Sequence, residues 1–188
     1  GEFRRYLVRT LHDFRIARET GSISDFDHQA FDPQSTFARI GMGSLGGKAR
    51  GLGFVSTLLK NLDLKRSIEG VEIGVPPAVV LATDVFDQFM DVNGLRDFAI
   101  HCNDDDHLRS KFADSPLPDP VTRELMSLVE LMRYPLAVRS SSLLEDSRYQ
   151  PFAGIYQTIM LPNNHFESDV RLQELVAAIK QVYASTYS

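Results

Sequence analysis

Helical stripes alternate with short apolar runs along this chain, and that alternation predicts an α/β fold, mixed α+β in character, with helices layered on a sheet. Two further observations agree. Hydrophobic residues make up 43% of the 188 positions and charged residues 24%, an ordinary globular balance that allows one core or two small lobes. The longest purely apolar runs, such as residues 78–82, cover a handful of positions, far short of the roughly 20 that span a bilayer.

Each element follows from its own signal. Phe3, Tyr6, Leu7, Leu11 and Phe14 recur at three- and four-residue steps, which predicts an amino-terminal helix stopped at Gly21. Residues 22–36 carry Asp25, Asp27, Asp32 and Pro33 without periodicity and are expected to be a surface connection. Residues 1–36 are thus expected to form a helix and linker ahead of a main lobe at 37–188. A short strand is expected at 37–40, running into glycines, and then a helix from about Gly47 to Asn61 with Leu52, Val55, Leu58 and Leu59 along it. The proline-bounded run at 75–81 suits a buried strand, and Thr83 after it suits a helix N-cap. Phe86, Phe89 and Met90 share one helical face, and Asn93-Gly94 marks a turn. Residues 103–120, with Asp104-Asp105-Asp106 and three prolines, are expected to leave the core as an excursion. Pro120 can open a helix whose buried stripe is Leu125, Leu128, Val129 and Met132. Residues 136–138 read as an interior strand delivering Arg139 and Ser140-Ser141-Ser142, and 155–161 as another strand. Leu172, Leu175, Val176, Ile179, Val182 and Tyr183 space a final helix.

Charge and cysteine content exclude some functions. Lysine and arginine number 20 against 25 acidic residues, a net charge of -5, so no basic field is available to neutralise a nucleic-acid backbone. Neither nucleic acid nor membrane is an expected partner. Cys102 is the single cysteine and cannot form an internal disulfide, and a cytoplasmic location is expected.

The most informative stretch is Gly41-Met42-Gly43-Ser44-Leu45-Gly46-Gly47-Lys48-Ala49. Gly41-x-Gly43-x-x-Gly46 satisfies the dinucleotide fingerprint literally, but Asp63 and Glu69, the candidates for its ribose-binding acid, sit in no clean βαβ unit. The Walker loop fails at Met42 and Ala49, where it requires glycine and a magnesium-binding hydroxyl. What remains is a flexible glycine turn, a helix amino end with partial positive charge, and a lysine, which together suit an anion. The residues equally allow a tight turn with Lys48 as a solvated charge.

Distant segments bear on that choice. Leu136-Ala137-Val138-Arg139-Ser140-Ser141-Ser142-Leu143-Leu144-Glu145-Asp146 and Phe152-Ala153-Gly154-Ile155-Tyr156-Gln157-Thr158 follow Gly46-Gly47-Lys48 and the Val75-Pro76-Pro77 strand in that order. With Ala178 to Ser185, the pattern resembles the nucleotide-binding domain of the pyruvate phosphate dikinase and phosphoenolpyruvate synthase family, from about Phe37 to the carboxyl end. The resemblance implies the amino-terminal lobe of an ATP-grasp-like domain, in which ATP lies between two lobes and passes a phosphoryl group to a histidine on another domain. It implies Lys48 and Arg139 as the catalytic pair on the ATP phosphates, within an ATP-binding set of Gly46, Gly47, Lys48, Arg139, Ser140, Gly154, Gln157 and Thr158. Implied partners are ATP and the phosphohistidine and pyruvate-binding domains of a longer chain. Magnesium, Mg2+, is an implied cofactor with ligands outside this chain, which would be an incomplete fragment unlikely to be active alone.

The pattern also departs from the family. Leu143-Leu144 stands where an Ala-Thr-Ala type run is common, and Gln157 stands where an acidic residue usually precedes the threonine. These departures leave the acceptor open: pyruvate chemistry, a glucan or antibiotic acceptor, or a nucleotide-sensing module that phosphorylates nothing. Other residues have plainer readings. Ser142-x-x-Glu145 is a capping box, Ser140 and Ser141 can be turn residues, and Arg139 can be a structural ion pair. Phe152 and Tyr156 suit packing. His101, Cys102, Asp104 to Asp106 and His107 match no zinc spacing, so no metal ligand is expected in this chain.

Overall fold

The computed structural model describes residues 23–33, 37–61, 69–71, 73–142 and 157–187. The expected amino-terminal helix lies outside them. The fold is mixed α/β, with two small sheets and six helices among the described residues.

Strands β1 (Ser24–Asp25), β2 (Phe37–Ile40) and β3 (Ala78–Leu81) form a parallel sheet with β2 in the centre. Ser24 pairs with Ala38, and Phe37 to Ile40 pair in step with Ala78 to Leu81. Helix α1 (Gly46–Asn61) connects β2 to β3. This is a βαβ arrangement that the periodicity alone does not reveal. β1 corrects the expected surface connection: its Asp25 faces Arg39 across the ladder, and the two side chains pair at 2.7 Å. The strand expected at 75–81 is shortened to its last four residues, because Pro76 and Pro77 have no N–H to give a ladder.

Next come α2 (Thr83–Val92), α3 (Leu95–His101), α4 (Asp105–Asp114) and α5 (Asp119–Leu131). Gly94 makes the α2–α3 corner in the left-handed region, φ 61°. Helix α4 overturns the expected excursion. Asp104 accepts at Oδ1 from the N–H groups of Asp106 and His107, so the acidic run is an N-cap and first turn that complements the helix dipole. Leu108, Phe112 and Leu117 from that region are buried in the core. Pro120 lies in the first turn of α5, as its position predicts.

Strands β4 (Leu136–Arg139) and β5 (Thr158–Leu161) pair antiparallel, Arg139 opposite Thr158, and helix α6 (Ser168–Ala184) packs on both and on α4 and α5. The core is mostly helical. Phe89 of α2 is fully buried, with its ring 5.8 Å from Phe112 and 5.6 Å from Tyr183. Each such aromatic contributes about 1.5–3 kcal/mol of burial. Leu52, Val55 and Leu58 of α1 instead face solvent.

Candidate functional site

Two helices begin at the carboxyl end of the parallel sheet. β2 ends at buried Ile40 and leads through the glycine turn into α1, while β3 ends at Leu81 and leads into α2. The chain between them is laced together by backbone bonds, Ala82 N–H to Ile40 O at 2.9 Å and Thr83 N–H to Ser44 O at 2.9 Å.

The first turn of α2 then takes hold of the glycine turn. The Asp84 carboxylate accepts from Met42 N–H at 2.8 Å and from Gly43 N–H at 2.9 Å, and Thr83 Oγ1 accepts from Ser44 N–H at 2.9 Å. Thr83 is therefore the first residue of its helix rather than the expected N-cap, and its hydroxyl serves another segment. A Cβ on Gly41, whose φ is 93°, would lie 2.6 Å from Asp84 Oδ1, and one on Gly43 would lie 2.6 Å from Asp84 N. These two glycines thus admit the protein's own side chains. Three consecutive amides that a phosphate loop would offer to a ligand are already bonded to protein oxygen.

Burial raises the Asp84 carboxyl, but N–H donors from Met42, Gly43, Asp84 and Val85 outweigh it and hold the group below the ordinary carboxylate range. Such a depressed group stabilises the fold above its unfolded pKa of about 3.9, and the contribution is lost as pH falls through the lower folded value. Asp84→Asn is expected to lower stability at pH 7 by about 1 kcal/mol at this exposed position, and by less below about pH 3. Urea midpoints of the two proteins at both pH values check it; equal gaps at both would contradict the assignment.

On the other side of the turn, the chain leaving β4 reaches the start of α1. Ser141 O accepts from Gly47 N–H at 2.8 Å, and Ser141 Oγ accepts from Ala49 N–H at 3.0 Å while donating to Leu45 O at 2.8 Å. Ser141 is a remote N-cap for α1. Gly46, buried with φ 75°, sits directly against it.

The segments carrying the expected residues therefore meet. Gly46, Gly47 and Lys48 are the first three residues of α1, with Lys48 half-buried and its Nζ shielded from solvent. Arg139 is exposed at the last position of β4, two residues before Ser141. Ser140 Oγ accepts from Ser142 N–H at 3.0 Å, which makes it a turn residue. Thr158 is exposed opposite Arg139, and Gln157 N–H donates to Ser185 Oγ at 3.2 Å. Gly154, Phe152, Tyr156 and Glu145 lie outside the described residues. Sequence reasoning missed Asp84 and underweighted Thr83 and Ser141, since their partners lie some 40 to 96 residues away in the chain and no local spacing marks such pairs.

The described residues include the Asp84 carboxylate and the acidic run Asp104 to Asp106. No three His, Cys, Asp or Glu side chains there are grouped to hold an ion, and both Asp84 oxygens are engaged by backbone N–H groups. At the acidic run, Cys102 Sγ bonds Asp104 O at 3.3 Å and His101 Nδ1 lies 2.8 Å from Asp97 O, both local contacts. No helix among the described residues is long and apolar enough to cross a membrane.

Chemically, the arrangement carries an ammonium group and a guanidinium group on segments joined through one serine, and two such cations suit a polyphosphate anion. Comparison with protein families finds that residues 42–188 match the model described as pyruvate phosphate dikinase, AMP/ATP-binding domain. Comparisons with curated proteins and with solved structures find no match.

Proposed function

Because this chain belongs to the family of pyruvate phosphate dikinase AMP/ATP-binding domains, we propose that it holds ATP for phosphoryl transfer to a histidine on another domain of a longer protein, in the interconversion of pyruvate and phosphoenolpyruvate. The supporting observation is the junction itself: Ser141 ties the start of α1, which carries Lys48, to the end of β4, which carries Arg139. In this reading the domain is the amino-terminal lobe of an ATP-grasp-like fold at residues 37–188.

The committed amides shape the mechanism. With Met42, Gly43, Ser44, Gly47 and Ala49 N–H groups bonded to protein oxygens, phosphate charge falls to the Lys48 ammonium and the Arg139 fork. Phosphoryl transfer requires alignment and fixed positive charge on the non-bridging oxygens more than a covalent group. Lysine supplies a compact charge, and arginine a planar pair of donors. Thr158, opposite Arg139 in the β4–β5 ladder, and Gln157 before it would border the phosphates. The described residues do not provide a carboxylate set for Mg2+, so no step here is assigned to it.

Lys48→Ala or Arg139→Ala in the full-length protein is expected to slow ATP-dependent histidine phosphorylation by about 100-fold or more. Acid-labile radiolabel transferred from γ-labelled ATP measures it. Unchanged labelling in both variants removes the pair from the site, and ATP binding without any labelling of the wild type supports a nucleotide-sensing module instead.

A further inference from the structure

We infer that Ser141 is a positioning residue that sets the spacing between the Lys48 and Arg139 cationic groups, and so acts on nucleotide affinity through them. The inference rests on the ATP reading above. Three bonds from one residue carry it: the backbone carbonyl takes Gly47 N–H at 2.8 Å, and the hydroxyl bridges Ala49 N–H at 3.0 Å and Leu45 O at 2.8 Å. These partners bracket Lys48 in sequence on both sides. Arg139 lies two residues before the same anchor, on a strand whose pairing with β5 fixes its own register. The junction is also close-packed, since a Cβ on Gly46 would fall 1.8 Å from Ser141 O. α1 follows the parallel sheet and β4 belongs to the antiparallel pair, and Ser141, two residues past β4, is bonded to the backbone of α1. A shift here therefore moves one cation relative to the other, and a bidentate contact with phosphate tolerates little displacement.

An ordinary N-cap would also lose stability when truncated, but it would leave affinity alone. The test is titration calorimetry of MgATP with the full-length protein as wild type, Ser141→Ala, Ser141→Thr, Arg139→Ala and the Ser141→Ala/Arg139→Ala double variant, with thermal melts on each. Ser141→Ala is expected to weaken binding about 10-fold, and Ser141→Thr, which keeps the hydroxyl, to restore most of it. In the Arg139→Ala background the Ser141→Ala loss is expected to shrink to under about 3-fold, because no guanidinium remains to be placed. Wild-type affinity in Ser141→Ala, or an equal loss in both backgrounds, overturns the inference and leaves the ATP reading standing. A wild type that binds no ATP overturns both. If Ser141→Ala does not fold, hydrogen exchange on the wild type decides: ATP is expected to slow exchange at the Gly47 and Ala49 amides, and unchanged exchange overturns the inference.

Discussion

Gly46→Ala is expected to abolish measurable ATP binding and to lower stability by about 3 kcal/mol, which for a chain of this size is a fall in Tm of roughly 6–12 °C. Two costs add. Gly46 sits at φ 75°, where a side chain costs roughly 1–2 kcal/mol. The new methyl would also lie 1.8 Å from Ser141 O and 2.8 Å from Ser141 Oγ. The first of these atoms is backbone and already receives Gly47 N–H, so it cannot yield without breaking the junction. Opening it forfeits the bonds from Gly47 and Ala49, each worth about 1 kcal/mol, and separates Lys48 from Arg139. Gly51→Ala in the same helix is the control. Nothing lies within 4 Å of its added methyl, and alanine in a helix interior is favoured over glycine by up to about 1 kcal/mol. Thermal melts and ATP titrations of both variants provide the check; a Gly46→Ala protein that behaves like Gly51→Ala would show that the contact does not hold the site together.

The contrast between these two glycines shows what the sequence can and cannot convey. Periodicity located α2, α5 and α6, because a buried face leaves a regular mark on neighbouring residues; it also located α1, although Leu52, Val55 and Leu58 there face solvent, and strands were expected at 37–40 and 136–138. The Asp104 run misled for the opposite reason. Its acidic and proline residues look like a loop, yet one carboxylate caps a helix whose buried face is only Leu108 and Phe112, too sparse a stripe to outweigh the polar residues around it. The glycine motif was legible as a turn beside a helix start. Its glycines were expected to admit an anion, whereas Gly41 and Gly43 make room for Asp84 and Thr83, through backbone-to-carboxylate bonds between partners 41 and 42 positions apart in the chain. Such pairs are decided when β2 and β3 align in parallel, a tertiary event with no local spacing. Lys48 was marked by the glycine turn, and its proposed pairing with Arg139 came from a family resemblance, not from periodicity.

A large effect is also expected far from the turn. Arg171 on α6 is 1% exposed, and its Nη1 donates to Val129 O and, at 3.1 Å, to Met132 O. Asn163 Nδ2 joins it by donating to Met132 O at 2.8 Å and Tyr134 O at 3.1 Å. These carbonyls close the end of α5, where the last turn has no intrahelical partners and the dipole favours a cation. From that cap the chain passes directly into β4, so Arg171 and Asn163 fix the entry of the strand that presents Arg139 and Ser141. Arg171→Ala leaves Val129 O without its partner and opens a cavity in the core; the expected loss is about 3 kcal/mol or more. Arg171→Met fills most of the volume and also removes Nε and Nη2, which are buried without hydrogen bonds among the described residues. Desolvating those groups is itself costly, so the methionine variant is expected to lose about half as much as the alanine one. Denaturant unfolding of both variants measures this order. An alanine variant within about 1 kcal/mol of the wild type would mean that the α5 cap is held by Asn163 alone, and that the entry to β4 does not depend on the buried guanidinium.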